Sequence, residues 1–241
     1  IFKNFERLHW KSSLNSNSMK TILVSGTSSG IGYEICVQAL ELKYKVISVS
    51  RNSKPLENIK GIDCYSIDIT DNDQLKNLVD DLKSKKVNID FLINNAGHLK
   101  NETFDKTSYE SFKQTYDVNV FGLAQITRLL LPLINKSGHV INISSIGGVN
   151  GSKKFPGLSV YSSSKAAVIA LTEVLAEEFP DGPSFNVLAL GAVQTKMLKE
   201  AFPEYVAQTN PSEMASYILD FALNGGKLFN GKLISVSNST P

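Results

Sequence analysis

Two side chains with acid–base chemistry stand four residues apart in Tyr161-Ser162-Ser163-Ser164-Lys165, at the start of a helical pattern. This spacing places Tyr161 and Lys165 on the same face of a helix. The pKa of a free tyrosine is about 10, so the phenol is a poor proton carrier at neutral pH. A nearby ammonium group favours the phenolate. The pair can then exchange a proton with a substrate oxygen, although the same spacing also arises by chance on protein surfaces.

A glycine-rich segment, SGTSSGIG at 25–32, joins the first predicted strand to the first predicted helix. Glycines let the chain turn sharply, so that backbone N–H groups and a helix N-terminus can face a pyrophosphate. The position after the first strand favours dinucleotide binding over a purely structural turn. The segment lacks the Gly-Lys-Ser/Thr ending of a nucleoside triphosphatase loop. The residues predicted to contact the cofactor here are Gly26, Ser28, Ser29, Gly30 and Ile31.

The end of the second predicted strand indicates which dinucleotide binds. An acidic residue there would accept hydrogen bonds from the ribose of NAD, whereas a basic residue would pair with the 2′-phosphate of NADP. This strand ends Ser50-Arg51-Asn52, without a carboxylate. Arg51 offers a planar guanidinium suited to phosphate, and its two neighbours are neutral donors. The sequence therefore predicts NADP(H), with NAD(H) less favoured, on the strength of one arginine.

Alternating strands and helices must position these segments. From Lys20 onward, short Val/Ile/Leu-rich runs alternate with amphipathic ones, as expected of a parallel sheet covered on both faces. The pattern predicts a three-layer, doubly wound α/β fold. The predicted strands are 21–25, 45–50, 62–67, 89–93, 139–144, 184–190 and 233–236. The predicted helices are 31–42, 72–85, 108–135, 160–179 and 211–223.

Composition excludes several classes of protein. The 241 residues carry a net charge of +2, which argues against a protein that mainly neutralises nucleic-acid phosphates. No apolar run approaches the roughly 18 residues of a membrane span. Cys36 and Cys64 are too few for a disulfide scaffold and lack metal-ligand spacing. We therefore predict a cytoplasmic protein with neither a metal site nor a nucleic-acid or membrane partner.

The first 18 residues differ in composition from the rest of the chain. They are rich in Asn, Ser and Lys and precede Met19, which stands directly before the first strand pattern. We interpret residues 1–18 as an extension or tag and 19–241 as a single domain. A transit peptide is an alternative, but this segment contains a single arginine, Arg7.

In combination, these motifs resemble the short-chain dehydrogenase/reductase family over residues 20–238. The spacing Gly-x-x-x-Gly-x-Gly and the segment Asn-Asn-Ala-Gly at 94–97 have the family's form, in the family's order. The resemblance implies a Rossmann-type fold whose seven-stranded parallel sheet has the order 3-2-1-4-5-6-7. It assigns cofactor contacts to Asp68, Ile69, Asn95, Ala96, Gly97, Tyr161, Lys165, Val193 and Thr195.

The resemblance also implies a catalytic set of Asn119, Ser145, Tyr161 and Lys165. Ser145 aligns with the serine that polarises the substrate carbonyl, and Ser144 fits this role less well. Asn119 matches a helix asparagine that is expected to bend its helix and hold a water linked to Lys165. The implied activity is NADP(H)-dependent interconversion of a carbonyl and a primary or secondary alcohol. Hydride passes to or from the nicotinamide while Tyr161 exchanges the proton.

Two departures from the family pattern concern the loops around the nicotinamide and the substrate. Leu190 replaces a usual proline, so the loop after the sixth strand is expected to be less rigid. The gap between Ser145 and Tyr161 is longer than usual, through 150–157. A lid around 196–210 is expected to cover a small-molecule substrate.

Family members commonly pair through the helices that carry Asn119 and Tyr161 and through the last strand. The resemblance therefore predicts a homodimer or homotetramer, although 231–241 lacks the usual glycine-rich ending.

Two other functions remain compatible with parts of the pattern. A catalytically silent regulator could keep the fold to sense NADP(H), but it would not need Ser145, Tyr161 and Lys165 together. A sugar-nucleotide epimerase usually has a longer region after the position of Thr195. The sequence leaves the substrate open among small ketones, aldehydes, 3-oxoacyl groups, sugars and pterins.

Overall fold

A seven-stranded parallel sheet forms the middle layer of the protein, in a computed structural model that describes residues 19–237. The strand order is β3-β2-β1-β4-β5-β6-β7, which confirms the predicted topology. The proposed extension 1–18 and the last four residues lie outside the described residues. The strands are β1 (Thr21–Ser25), β2 (Lys45–Ser50), β3 (Ile62–Ser66), β4 (Ile89–Asn94), β5 (Ile134–Ser145), β6 (Ser184–Leu190) and β7 (Lys232–Val236).

Helices cover both faces of the sheet. They are α1 (Gly30–Glu41), α2 (Lys54–Glu57), α3 (Asn72–Ser84), α4 (Tyr109–Tyr116), α5 (Leu123–Leu130), α6 (Ser159–Glu178), α7 (Lys196–Ala201) and α8 (Pro211–Asn224). Apolar residues of α1 and α8 pack on one face, and those of α3, α5 and α6 pack on the other. Every residue of β1 is buried, which explains why the inner strands are continuous apolar runs. Burying one such Ile, Leu or Val side chain contributes about 1.5–3 kcal/mol.

The predicted helix 108–135 is wrong as one continuous element. The chain there forms α4, a π-helical turn at Asp117–Gly122, α5, and a 3-10 turn at Leu131–Leu133. Pro132 lies in that last turn and cannot donate a backbone hydrogen bond, so the helix stops. β5 then begins at Ile134, which pairs with Ile89, five residues before the predicted start at 139. The short helices α2 and α7 were not predicted, and the other predicted boundaries agree with the structure to within one residue.

A buried ladder of polar side chains ties the two central strands to the helices beside them. Asn94 Nδ2 donates to Asn142 Oδ1 and to Thr127 Oγ1, both at 2.8 Å. Asn142 Nδ2 in turn donates to Thr172 Oγ1 at 2.9 Å. The ladder connects β4, β5, α5 and α6, so the ends of these strands hold a fixed position relative to α6. Because each bond is buried, the loss of one partner would leave an unpaired polar group at a cost of about 1–3 kcal/mol.

The described residues contain neither a helix that could span a membrane nor a metal-binding cluster. None of the helices in 19–237 is long and apolar enough to span a bilayer. Within the same residues, no three His, Cys, Asp or Glu side chains come together as metal ligands.

His139 forms a second buried polar site, at the start of the inner part of β5. Its Nδ1 donates to the Ala222 carbonyl at 3.0 Å, and its Nε2 accepts from Asn186 Nδ2 at 2.9 Å. These partners fix the neutral tautomer that carries its proton on Nδ1. The Asn186 nitrogen that faces Nε2 is a donor, because the same NH₂ group also donates to the Phe229 carbonyl. Burial lowers the pKa of His139 to about 4. A proton on Nε2 would face a donor, so the folded state resists protonation.

We expect this histidine to make the protein acid-sensitive. The unfolded chain binds a proton at His139 below its ordinary pKa of about 6.5, whereas the folded chain binds it only near pH 4. Stability is therefore complete above pH 6.5 and falls progressively from there to pH 4, by on the order of 3 kcal/mol. Urea unfolding of wild type and His139→Gln between pH 4.5 and 7.5 measures the effect. The free energy of unfolding of the variant should fall less as the pH is lowered. An equal fall in both proteins would contradict the assignment of the acid sensitivity to His139.

Candidate active site

A cleft of about 700 Å³ runs along the carboxyl ends of the strands, from the glycine loop after β1 to the start of α6. Its volume lies within the range of about 300–1,000 Å³ that is usual for ligand sites. All fifteen residues predicted to contact the cofactor line this cleft, as does Ser145. Asn119 is the exception among the predicted site residues, because it is fully buried and does not line the cleft.

The glycine loop is shaped for a close approach of the backbone. Gly26 has φ +74°, and a Cβ added there would lie 2.6 Å from the Ala96 Cα. Asn95 Nδ2 also holds the loop by donating to the Gly26 carbonyl at 3.0 Å. α1 begins at Gly30, and the Ser29 side chain does not cap it. The first N–H groups of α1 thus remain available to an anion, and the loop fits a pyrophosphate.

Arg51 and Asp68 are the cation and the carboxylate that line the cleft beside β2 and β3. Arg51 is exposed, and among residues 19–237 it forms no ion pair. Asp68 Oδ1 accepts from both the N–H and the hydroxyl of Thr70, so its second oxygen is the one left for a ligand. The Ser50 hydroxyl donates to the Asn52 carbonyl at 2.9 Å, which removes Ser50 as a free donor beside Arg51.

Tyr161, Lys165 and Ser145 meet at the other end of the cleft. Lys165 Nζ lies 5.8 Å from the centre of the Tyr161 ring and donates to the Ile143 carbonyl at 2.9 Å. Burial raises the pKa of Tyr161 to about 12, and a hydrogen bond with Ser145 opposes this rise. Burial also lowers the pKa of Lys165 to about 8. Without further positive charge nearby, this environment favours the neutral phenol and weakens the hold of the amine on its proton.

The structure separates the roles of the two serines at the end of β5. Ser144 is buried, and its hydroxyl donates to the Lys165 carbonyl at 2.8 Å. It therefore joins β5 to α6. Ser145 lines the cleft, and its Oγ accepts weakly from the Gly147 N–H at 3.3 Å. Ser144 also lines the cleft, but its hydroxyl is engaged with α6, whereas Ser145 forms a hydrogen bond with Tyr161.

Asn119 lies within the π-helical turn that interrupts the predicted long helix. Its Nδ2 donates to the His98 carbonyl and to Ser164 Oγ, both at 2.9 Å, and its Oδ1 accepts from the His98 N–H at 2.7 Å. Single π-turns of this kind are frequent at functional sites. The expected local distortion is thus present, and the asparagine side chain bridges the loop after β4 to α6.

Two residues beside Asn119 form contacts that the sequence did not predict. Ser164 is fully buried and donates to the Tyr161 carbonyl at 2.7 Å while it accepts from Asn119. His98 lines the cleft, with its Nδ1 3.2 Å from Thr115 Oγ1. Burial lowers the His98 pKa, assisted by the charges of Arg51 and Lys100. The position of Ser164 directly before Lys165 was its only sequence signal.

Hydrogen bonds fix the loop after β6 despite the leucine at position 190. The Gly191 N–H donates to the Val236 carbonyl at 2.9 Å. Gln194 is held twice, because its N–H donates to the Thr209 carbonyl at 2.9 Å and its Oε1 accepts from the Ala207 N–H at 2.7 Å. Thr195 caps α7 by accepting from the Leu198 N–H. These contacts tie the loop to β7 and to residues 207–209.

Comparison with known proteins identifies the relatives of this chain. A 3-oxoacyl-[acyl-carrier-protein] reductase FabG of Thermotoga maritima is 29% identical over 239 residues, covering 90% of this chain and 96% of that protein. An acetoacetyl-CoA reductase of Acinetobacter sp. is 29% identical over 247 residues, covering 92% and 97%. The structure of ElxO with NADP bound superposes with a TM-score of 0.80 at 26% identity, covering 91% of this chain and 97% of that one.

The match to a family extends over most of the described residues. Residues 20–206 fit the family model for short chain dehydrogenase. This range contains the glycine loop, the π-helical turn, the end of β5 and the first turn of α6. The chain therefore belongs to the short-chain dehydrogenase family and is an NAD(P)-dependent oxidoreductase.

Proposed function

We propose that the protein interconverts a carbonyl and a primary or secondary alcohol with NADP(H), using Asn119, Ser145, Tyr161 and Lys165. The observation that carries this proposal is the placement of Ser145, Tyr161 and Lys165 at one end of a cleft whose other end is the glycine loop. A ligand that spans the cleft would have its phosphates at the N-terminus of α1 and its far end beside Tyr161.

The chain's residues divide the chemistry of reduction among them. The bound nicotinamide supplies the hydride. The Tyr161 hydroxyl donates a proton to the substrate oxygen, and the Ser145 hydroxyl holds that oxygen in place and stabilises its developing charge. Lys165 acts through its charge and through the ribose of the cofactor, while its contact with the Ile143 carbonyl fixes the position of Nζ.

Charge brought by the cofactor is needed to make Tyr161 a base in the oxidative direction. Burial holds the pKa of Tyr161 near 12 and that of Lys165 near 8. A positive charge close to the phenol stabilises its ionised form and lowers that pKa. Tyr161 therefore becomes an effective base only in the complex with the oxidised cofactor. Asn119, fixed to His98 and Ser164, is a positioning residue for this end of α6.

The preference for NADP(H) over NAD(H) rests on Arg51. The strand end that it occupies carries no carboxylate to receive the ribose hydroxyls of NAD. Arg51 lines the cleft and has no ion-pair partner among residues 19–237, so its guanidinium is available to a 2′-phosphate. The NADP-bound relative supports the same assignment.

We expect Tyr161→Phe to lower the turnover number by about 10²–10⁴-fold, because the proton donor is lost. The affinity for NADPH should stay within about twofold, since the ring remains in place. Stopped-flow NADPH oxidation and calorimetry measure the two quantities, and Tyr217→Phe on the exposed face of α8 is the matched control. Wild type that binds NADPH tightly yet reduces nothing in a broad carbonyl panel would identify a cofactor sensor instead.

Arg51→Ala should weaken NADPH binding by about 10–100-fold, the effect of losing one or two charge-assisted hydrogen bonds. Binding of NADH should change by less than about threefold. Arg128→Ala is the control, because Arg128 is an exposed arginine on α5 outside the cleft. Calorimetry measures the affinities of all three proteins for NADPH and NADH. An equal loss of affinity for both cofactors in Arg51→Ala would show that Arg51 does not recognise the 2′-phosphate.

A homodimer or homotetramer is part of the same proposal. Tyr109 on α4, Phe121 in the π-helical turn and Val174 on α6 are 77%, 57% and 53% exposed. Apolar side chains exposed on these helices are typical of a surface that another subunit covers. Sedimentation equilibrium should give two or four times the mass of one chain, and Val174→Lys should shift the mass toward one chain. A monomeric wild type would refute this part of the proposal.

A further inference from the structure

A set of apolar side chains lines the part of the cleft beyond Tyr161. We call it the apolar pocket, and its residues are Phe155, Leu158, Met197, Phe202 and Tyr205. Phe155, Met197 and Tyr205 are 45%, 37% and 52% exposed. Solvent-exposed apolar side chains grouped in a concave site indicate a ligand that covers them.

Polar groups are sparse around this pocket. The one side-chain hydroxyl in the set belongs to Tyr205. Ser145 and Tyr161 are engaged at the reacting carbonyl, and Lys196 and Glu200 form an exposed pair with each other at the rim, 3.7 Å apart. A sugar or a pterin buries several hydroxyl or amide groups, and each one left without a partner costs about 1–3 kcal/mol. The apolar pocket does not supply the partners for them.

Hydrogen bonds hold the two segments that form the pocket. Asn101 Nδ2 donates to the Ala201 carbonyl at the end of α7, at 2.9 Å. The next residue, Glu102, donates its N–H to the Gly157 carbonyl, also at 2.9 Å. Gly157 has φ +84°, and a Cβ there would collide with Asn101 Oδ1. The loop that carries Phe155 and the helix that carries Met197 are thus joined through 101–102, which gives the pocket a defined shape before substrate binds.

From this surface we infer that the substrate is a ketone or aldehyde with an extended apolar body, alkyl or aryl, and few other polar groups. The inference rests on the proposed function and specifies its substrate class. The carbonyl lies between Ser145 and Tyr161, and the apolar body covers Phe155, Met197 and Tyr205. In reduction, the carbonyl carbon accepts a hydride from NADPH and the oxygen accepts a proton from Tyr161. NADPH is oxidised to NADP⁺, and solvent restores the proton of Tyr161.

A homologous series of 2-alkanones from butan-2-one to nonan-2-one tests the inference. Transfer of one methylene from water to an apolar site is worth about fourfold in binding, so kcat/KM should rise by about two- to fourfold per carbon until the pocket is full. Dihydroxyacetone and erythrulose serve as the polar comparison and should be poorer substrates than pentan-2-one.

Phe155→Ala should raise KM for the longest ketones by about tenfold while KM for butan-2-one changes by less than twofold. Phe104→Ala, which removes a 71% exposed phenylalanine outside the cleft, is the matched control.

Calorimetry of the same ketones with the protein and NADP⁺ separates this inference from the proposed function, because a ketone and an oxidised cofactor do not react. Binding that strengthens with chain length and weakens in Phe155→Ala, without reduction of any ketone, overturns the proposed function and the assignment of a substrate, while the apolar pocket stands as a binding surface. Turnover without any dependence on chain length, or a preference for the polyhydroxylated ketones, overturns the inference and leaves the proposed function standing. Absence of both turnover and chain-length-dependent binding overturns both.

Discussion

The burial of Lys165 is the constraint around which the Tyr161 end of the cleft is organised. Lys165 is 3% exposed, so its amine has little contact with water, and the structure gives it a hydrogen bond to the Ile143 carbonyl at 2.9 Å. This contact requires the first turns of α6 to stay in a fixed position above the end of β5. Ser144 supplies one attachment through the Lys165 carbonyl, and Asn119 supplies the other through Ser164. The π-helical turn, Ser144 and Ser164 thus together hold the buried lysine in position.

The same burial links proton chemistry to the occupancy of the cleft. Desolvation favours the neutral forms of both groups, since it raises the pKa of Tyr161 and lowers that of Lys165. A site built only to stabilise a phenolate would lower the pKa of Tyr161 instead of raising it. The arrangement is consistent with a proton relay that acts when a charged ligand fills the cleft.

Sequence reasoning located the site because the fold places the ends of parallel strands at one edge. Gly26, Arg51, Asp68 and Ser145 each lie at or just after the end of a strand, so correct strand order was enough to bring them to one cleft. The error in the helix 108–135 has a different origin. Apolar periodicity continues through a π turn and a 3-10 turn with little change, and the pairing of Ile134 with Ile89 depends on a residue far away in the chain.

Contacts between distant side chains account for the rest of what the sequence did not predict. The bonds of Asn101 to Ala201 and of Asn119 to Ser164 join segments separated by 100 and 45 residues. No local pattern encodes such pairs, because each partner has ordinary neighbours in sequence. The engagement of Ser50 with Asn52 is local but depends on the backbone turn after β2.

The two ends of the cleft therefore differ in how firmly sequence and structure define their ligands. At the cofactor end, close backbone contacts such as Gly26 against Ala96 leave little freedom, so residue types alone indicate a pyrophosphate. At the substrate end, the boundary is formed by side chains of a loop and a short helix, and only their joint placement shows an apolar surface. Specificity for a substrate is thus a property of tertiary contacts, whereas the reaction class follows from motifs that each lie within a few residues.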